Sequence, residues 1–154
     1  EKRNLPDNFN KEMEYKIYTT IAVKQAPWVG GEYYLINTLS AEALKRFARN
    51  HAIGGGLIFF YDRTLQYFPM ESPNEVQDRK KLQIGAYGGY EHYLGRLSIP
   101  LQLGFYVYNK DKSLFTFTQF GLRYKISRNI STELLLKSHG GQANYIHAGV
   151  GYIF

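Results

Sequence analysis

The segment from Tyr145 to Phe154, YIHAGVGYIF, alternates without a break. Ile146, Ala148, Val150, Tyr152 and Phe154 share one face, while Tyr145, His147, Gly149, Gly151 and Ile153 share the other. Period two is a strand signature, since an amphipathic helix repeats its apolar positions at three and four. About ten alternating residues suit a tilted strand crossing the hydrocarbon layer of a membrane. A chain closed by such a segment is constrained toward a sheet with one apolar face and one mixed face.

The composition agrees. Fourteen Tyr, ten Phe and fifteen Gly among 154 residues favour β structure, and the length fits one domain. No run approaches about eighteen consecutive apolar residues, which excludes a transmembrane helix. The mean hydropathy of −0.37 does not argue against a membrane barrel, whose apolar residues occupy only every second position. Cysteine is absent, which excludes a disulfide framework, a thiol nucleophile and a zinc-thiolate site. The net charge of +6 favours anionic partners such as lipid phosphates. Lys and Arg are scattered and no nucleic-acid module is recognisable, so no nucleic-acid partner is expected. No secretory signal is visible, and the chain reads as a mature or trimmed one.

Alternation predicts eight strands, roughly 12–23, 32–48, 52–62, 80–93, 96–108, 114–126, 130–139 and 145–154. In 96–108 (RLSIPLQLGFYVY), Leu97, Ile99, Leu101, Leu103, Phe105 and Val107 line one face, with Pro100 as a blemish inside a paired strand. In 114–126, Phe120, Leu122, Tyr124 and Ile126 oppose Gln119, Gly121, Arg123 and Lys125, whose face must look inward or sit near a rim. Segment 38–48 (TLSAEALKRFA) has helical propensity, yet Leu35, Leu39, Ala41 and Ala43 keep period two and predict a strand. Assigning most of a chain to strand is unusual, and a small closed barrel is one of the few architectures that allows it.

The expected fold is therefore all-β, an eight-stranded antiparallel up-and-down transmembrane β-barrel over 12–154, preceded by an N-terminal periplasmic segment over 1–11. The aromatic-x-Phe ending resembles the C-terminal signal of bacterial outer-membrane barrels, which implies an outer-membrane location with both termini periplasmic. On that orientation the turns at 49–51, 94–95 and 127–129 are periplasmic. The longer connections at 24–31, 63–79, 109–113 and 140–144 face outward, as in barrels of this type. The competing architecture is a soluble lipocalin-type barrel with its apolar face inside.

Side chains fill the interior of an eight-stranded barrel, so any chemistry belongs to a rim or a wall. The richest polar cluster is the hairpin 133–147 (ELLLKSHGGQANYIH), with Glu133, Lys137, Ser138, His139, Gln142, Asn144 and His147 around Gly140-Gly141. His139 and His147 share parity and could meet across the ladder. Ser138 and His139 are adjacent and should face opposite sides of a regular strand. The plain alternative is a solvated turn. Elsewhere, Glu91 and His92 read as rim groups, His51 as a turn residue, Glu42 and Arg46 as an interior pair, and Gln83, Tyr87 and Glu91 as lumen filling. No spacing suggests a metal site, a phosphate-cradling loop or a dinucleotide fold, and no cofactor is expected.

The run LLLKSHGGQANYIHAGVGYIF at 134–154 resembles the closing hairpin of the PagL-type lipid A deacylase family, the acyloxyacyl hydrolase-like barrels. AIGGGLIFFYD at 52–62 resembles a strand of its Bacteroidota-like members. The resemblance implies an eight-stranded outer-membrane barrel that removes an acyl chain from lipid A with Ser, His and an acid. The family motif reads His-x-Ser-Asn-Ala. Here His139 matches the histidine and Ala143 the alanine, while Gly141 stands in the serine position and Gln142 in that of Asn. Bacteroidota-like relatives carry Lys-Ser/Thr-His before the turn, matching Lys137-Ser138-His139, and a Glu eight residues later, where this chain has His147. With serine and acid both substituted, the first expectation is a non-catalytic barrel, either a structural or accessory subunit of an outer-membrane complex or a lipopolysaccharide binder. Its partners would be membrane lipids, lipopolysaccharide and a larger outer-membrane barrel or an assembly or export complex. The alternative is a lipid A acyl-ester hydrolase with Ser138 as nucleophile, His139 as base and Glu133 or His147 as orienting residue.

Overall fold

Period two in the sequence becomes a closed wall. The computed structural model describes residues 13–25, 32–64, 82–109 and 115–154. The expected 1–11 segment and most of the 24–31, 63–79 and 109–113 connections lie outside the described residues. The strands are β1 (Met13–Gln25), β2 (Tyr33–Ala48), β3 (His51–Asp62), β4 (Leu82–Leu94), β5 (Leu97–Tyr108), β6 (Thr116–Lys125), β7 (Ile130–His139) and β8 (Gln142–Ile153). Each pairs antiparallel with the next, and β1 closes the barrel against β8 from Lys16↔Ile153 to Ala22↔His147. Closure removes the free edges that an open sheet would expose.

Segment 38–48 is strand, as its periodicity predicts: Thr38, Ser40, Glu42 and Leu44 are buried inward, and Leu35 and Leu39 point out. Pro100 is accommodated where the β5–β6 ladder skips, between the pairs Ser98↔Arg123 and Leu101↔Phe120, so its missing N–H interrupts nothing else. The connection expected at 140–144 is much shorter. Gly140 and Gly141 both adopt positive φ, 54° and 83°, the conformation of a tight type I′ hairpin turn, so β8 starts pairing at Gln142.

Met13 and Phe154 lie at one end of the barrel, the terminal end, where the Phe154 amide donates to the Tyr15 carbonyl at 3.0 Å. The turns at 49–50, 95–96 and 127–129 lie there too, and Gly140-Gly141 marks the opposite end. The outer wall is apolar: Ile17, Leu39, Leu57, Leu103, Leu134 and Val150 are all exposed. The interior holds Lys16, Glu42, Glu91, Gln102, Arg123, Glu133 and His147, all buried. A lipocalin-type barrel requires the reverse. Charged lumen and apolar wall together define a transmembrane barrel.

Candidate functional site

The lumen divides into two layers. Toward the terminal end, Arg123 on β6 is the hub of an ion network. Its guanidinium donates to Glu42 Oε1 at 2.5 Å and Oε2 at 3.1 Å, to Glu91 Oε2 at 2.9 Å and to Glu133 Oε2 at 2.9 Å. Lys16 Nζ donates to Glu91 Oε2 at 2.9 Å, and Ser98 Oγ donates to its other oxygen at 2.5 Å. Tyr87 and Gln102 add donors to Glu42, and the Tyr18 ring lies beneath the guanidinium at 4.4 Å. Buried charges persist only when paired and hydrogen-bonded in this manner.

Glu91 is no rim group: with Gln83 and Tyr87 it fills the lumen, as the second of its two expected readings has it, and it is a buried member of the network. Glu42 and Arg46 do not pair: Glu42 binds Arg123, while Arg46 stacks on the Tyr93 ring at 4.2 Å and lies 3.8 Å from Glu14. Residues four apart neighbour each other on a helix, but on a strand they are separated by about 13 Å. His51 opens β3 rather than lying in the turn, and its ring lies tilted against that of its cross-strand partner His92 outside the barrel (4.7 Å between ring centroids).

Toward the Gly140-Gly141 end the lumen is aromatic. Phe60, Tyr106, Phe117 and Tyr145 surround Lys137 Nζ, which lies 3.3 Å from the Phe60 ring centroid and 5.3 to 5.8 Å from the other three. Among the described residues Lys137 forms no ion pair. His139 caps this layer. Its Nε2 is 2.5 Å from the Tyr106 hydroxyl, its Nδ1 accepts from the Asn144 amide at 3.1 Å, and its ring stacks on Tyr106. His147 lies deeper and fully buried, with Nδ1 2.8 Å from Thr20 Oγ1 and Nε2 2.9 Å from the Gln119 amide.

The two histidines do not meet. The tight turn pairs His139 with Gln142, and His147 then stands opposite Leu135. Nor do the other candidates gather around His139. Alternation from buried Lys137 turns Ser138 to the outer face, where it is paired with Thr118 on β6. Glu133, six positions down β7, is engaged by Arg123. The contacts of His139 come instead from Tyr106 and Asn144, neither of which sequence reading assigned to it. Tyr106 lies two strands away on β5. Asn144 reaches His139 because the β7–β8 register shifts between Lys137 and Ser138. Among the described residues no group of three or more His, Cys, Asp or Glu side chains is placed to hold a metal ion.

Two solved structures similar to this chain are described as de novo designed transmembrane β-barrels. One, from work titled "De novo design of transmembrane beta-barrels", is 12% identical with a TM-score of 0.56, covering 92% of this chain and 95% of that one. The solution NMR structure of the de novo designed barrel TMB2.3 is 13% identical with a TM-score of 0.50, covering 90% and 91%. These likenesses concern the fold alone. No curated protein matches the chain. The family described as "Acyloxyacyl hydrolase, C-terminal domain" matches residues 13–154, the whole described barrel. The chain belongs to the PagL-like acyloxyacyl hydrolase C-terminal-domain family and is an outer-membrane β-barrel of that family.

Proposed function

We propose that this barrel is a non-hydrolytic member of its family, serving as a structural or accessory subunit of an outer-membrane complex or as a binder of lipopolysaccharide. It is oriented with the terminal end in the periplasm and Gly140-Gly141 outside. The observation that carries the reading is the set of contacts around His139. Both ring nitrogens are held by neutral partners, Tyr106 and Asn144, and neither by a serine or a carboxylate. A general base for acyl transfer needs its nucleophile within hydrogen-bond reach and an acid to steady the imidazolium. Ser138 faces the outer wall and Glu133 is spent on Arg123.

A second reading, lipid A acyl-ester hydrolysis at the outer rim, is favoured by the family match and by the retained His139. There Ser138 would attack only after the hairpin twisted it inward, and Gly140-Gly141 amides would hold the oxyanion. Incubating the detergent-purified protein with lipopolysaccharide and examining lipid A by mass spectrometry separates the two. Unchanged lipid A is expected, with stable retention of lipopolysaccharide or co-purification with a larger membrane protein. Loss of one hydroxyacyl chain, abolished by His139→Ala, would overturn the non-hydrolytic reading.

A further inference from the structure

At the rim of the terminal end, Arg96, Lys125, Ile126, Ser127 and Arg128 line a recess of about 370 Å³. The backbone builds it. The Lys125 amide donates to the Arg96 carbonyl at 2.8 Å, tying the end of β6 to the β4–β5 turn, and both residues line the recess. The Ile126 and Ser127 amides both donate to the Ile130 carbonyl, at 2.9 and 3.1 Å, which folds Arg128 back across the same opening. Ser127 Oγ accepts from the Ile130 amide at 3.2 Å, leaving its hydroxyl proton free to donate.

Among the described residues no carboxylate lines the recess and none of its three cations forms an ion pair. Three like charges held together unpaired repel one another unless an anion sits between them. The recess borders the apolar wall directly: Leu94, Tyr124, Ile126 and Ile130 are all about half exposed beside it. An anion bound there has its cationic contacts at headgroup level and hydrocarbon immediately beside them.

We propose that this recess binds the phosphate of an anionic glycerophospholipid in the leaflet at the terminal end, with the acyl chains along Tyr124, Ile126 and Ile130. Arg96 and Arg128 supply forked donors to phosphate oxygens, Lys125 a point charge and Ser127 a hydroxyl donor. Only the choice of glycerophospholipid over lipid A rests on the orientation proposed above. The recess itself is independent of His139, so the lipid A assay and the test below can fail separately.

The test uses the full chain in neutral detergent, with phosphatidylglycerol added and retained lipid read by native mass spectrometry. The wild type should retain phosphatidylglycerol well above phosphatidylcholine. The triple variant Arg96→Gln, Lys125→Gln, Arg128→Gln should lose that retention by about tenfold or more, since each cation near a lipid phosphate contributes on the order of a few-fold in affinity. Unchanged heat-modifiable migration on a gel would show that the variant still folds. The pair Lys45→Gln, Arg49→Gln, at the same end but outside the recess, should retain lipid like the wild type. Equal loss in both variants would overturn the proposal in favour of diffuse surface charge. Displacement by equimolar inorganic phosphate would overturn the lipid as ligand, and equal retention of lipid A would overturn the choice of glycerophospholipid.

Discussion

Arg123 and Glu42 lie 81 positions apart in the chain, yet the guanidinium grips both carboxylate oxygens across the lumen, at 2.5 and 3.1 Å. The same guanidinium serves Glu91 and Glu133, so two cations, counting Lys16, hold three acids in the sealed interior.

Removing the hub should therefore cost far more than removing a spoke. Arg123→Met strands buried carboxylates and should destabilise the barrel by about 3–5 kcal/mol. Glu133→Gln keeps an acceptor on the guanidinium and reduces the excess of acids, so its cost should stay within about 1 kcal/mol. Urea unfolding in detergent or lipid, followed by gel migration, measures both. Equal costs would mean that the network does not converge on Arg123.

A second prediction concerns space. Phe117 packs edge-on against Phe60, 5.4 Å between centroids, and its ring lies over two glycines. A Cβ at Gly85 would sit 2.6 Å from Phe117 Cε1, and one at Gly104 2.3 Å from Cζ. Gly85→Ala should cost about 1–3 kcal/mol by overpacking. Adding Phe117→Leu, which removes the opposing ring edge, should recover at least about 1 kcal/mol of coupling. Gly104→Ala should be rescued less, because its Cβ would also approach the Ala86 carbonyl at 2.8 Å. Identical rescue at both sites would count against this packing.

The face of each residue could be read from the sequence, but its height and its partner across the lumen could not. Parity placed Arg123 opposite Phe120 and Leu122, and the structure buries it. Parity could not say that Arg123 meets Glu42, because β2 and β6 are not neighbours and only the tilt and stagger of a closed barrel bring them level. Parity likewise puts Glu91 on the lumen face with Gln83 and Tyr87 but does not give its height: three residues from the end of β4, it reaches core depth beside Lys16. The candidate hairpin was legible as a segment, with His139 at its tip. Its partners were not, since Tyr106 comes from β5 and Asn144 depends on a register shift that leaves no mark in the alternation.

The last prediction follows from that aromatic layer. Lys137 is 1% exposed with four rings around its ammonium and, among the described residues, no carboxylate in ion-pair range. A desolvated cation–π contact contributes about 2 kcal/mol or more. Withdrawing an ammonium from water costs several kcal/mol. Only the Phe60 ring lies close to the ammonium, at 3.3 Å against 5.3 to 5.8 Å for the others, so the second effect is the larger and Lys137 is retained at the expense of stability. Lys137→Met keeps the length and the apolar contacts of the side chain while removing the charge, and should stabilise the barrel by about 1–3 kcal/mol in the same urea titration. If the charge serves lipopolysaccharide at the outer mouth, that variant should also retain less lipopolysaccharide while unfolding later. A variant that unfolds earlier than wild type would show that the four rings repay the desolvation of Lys137 in full.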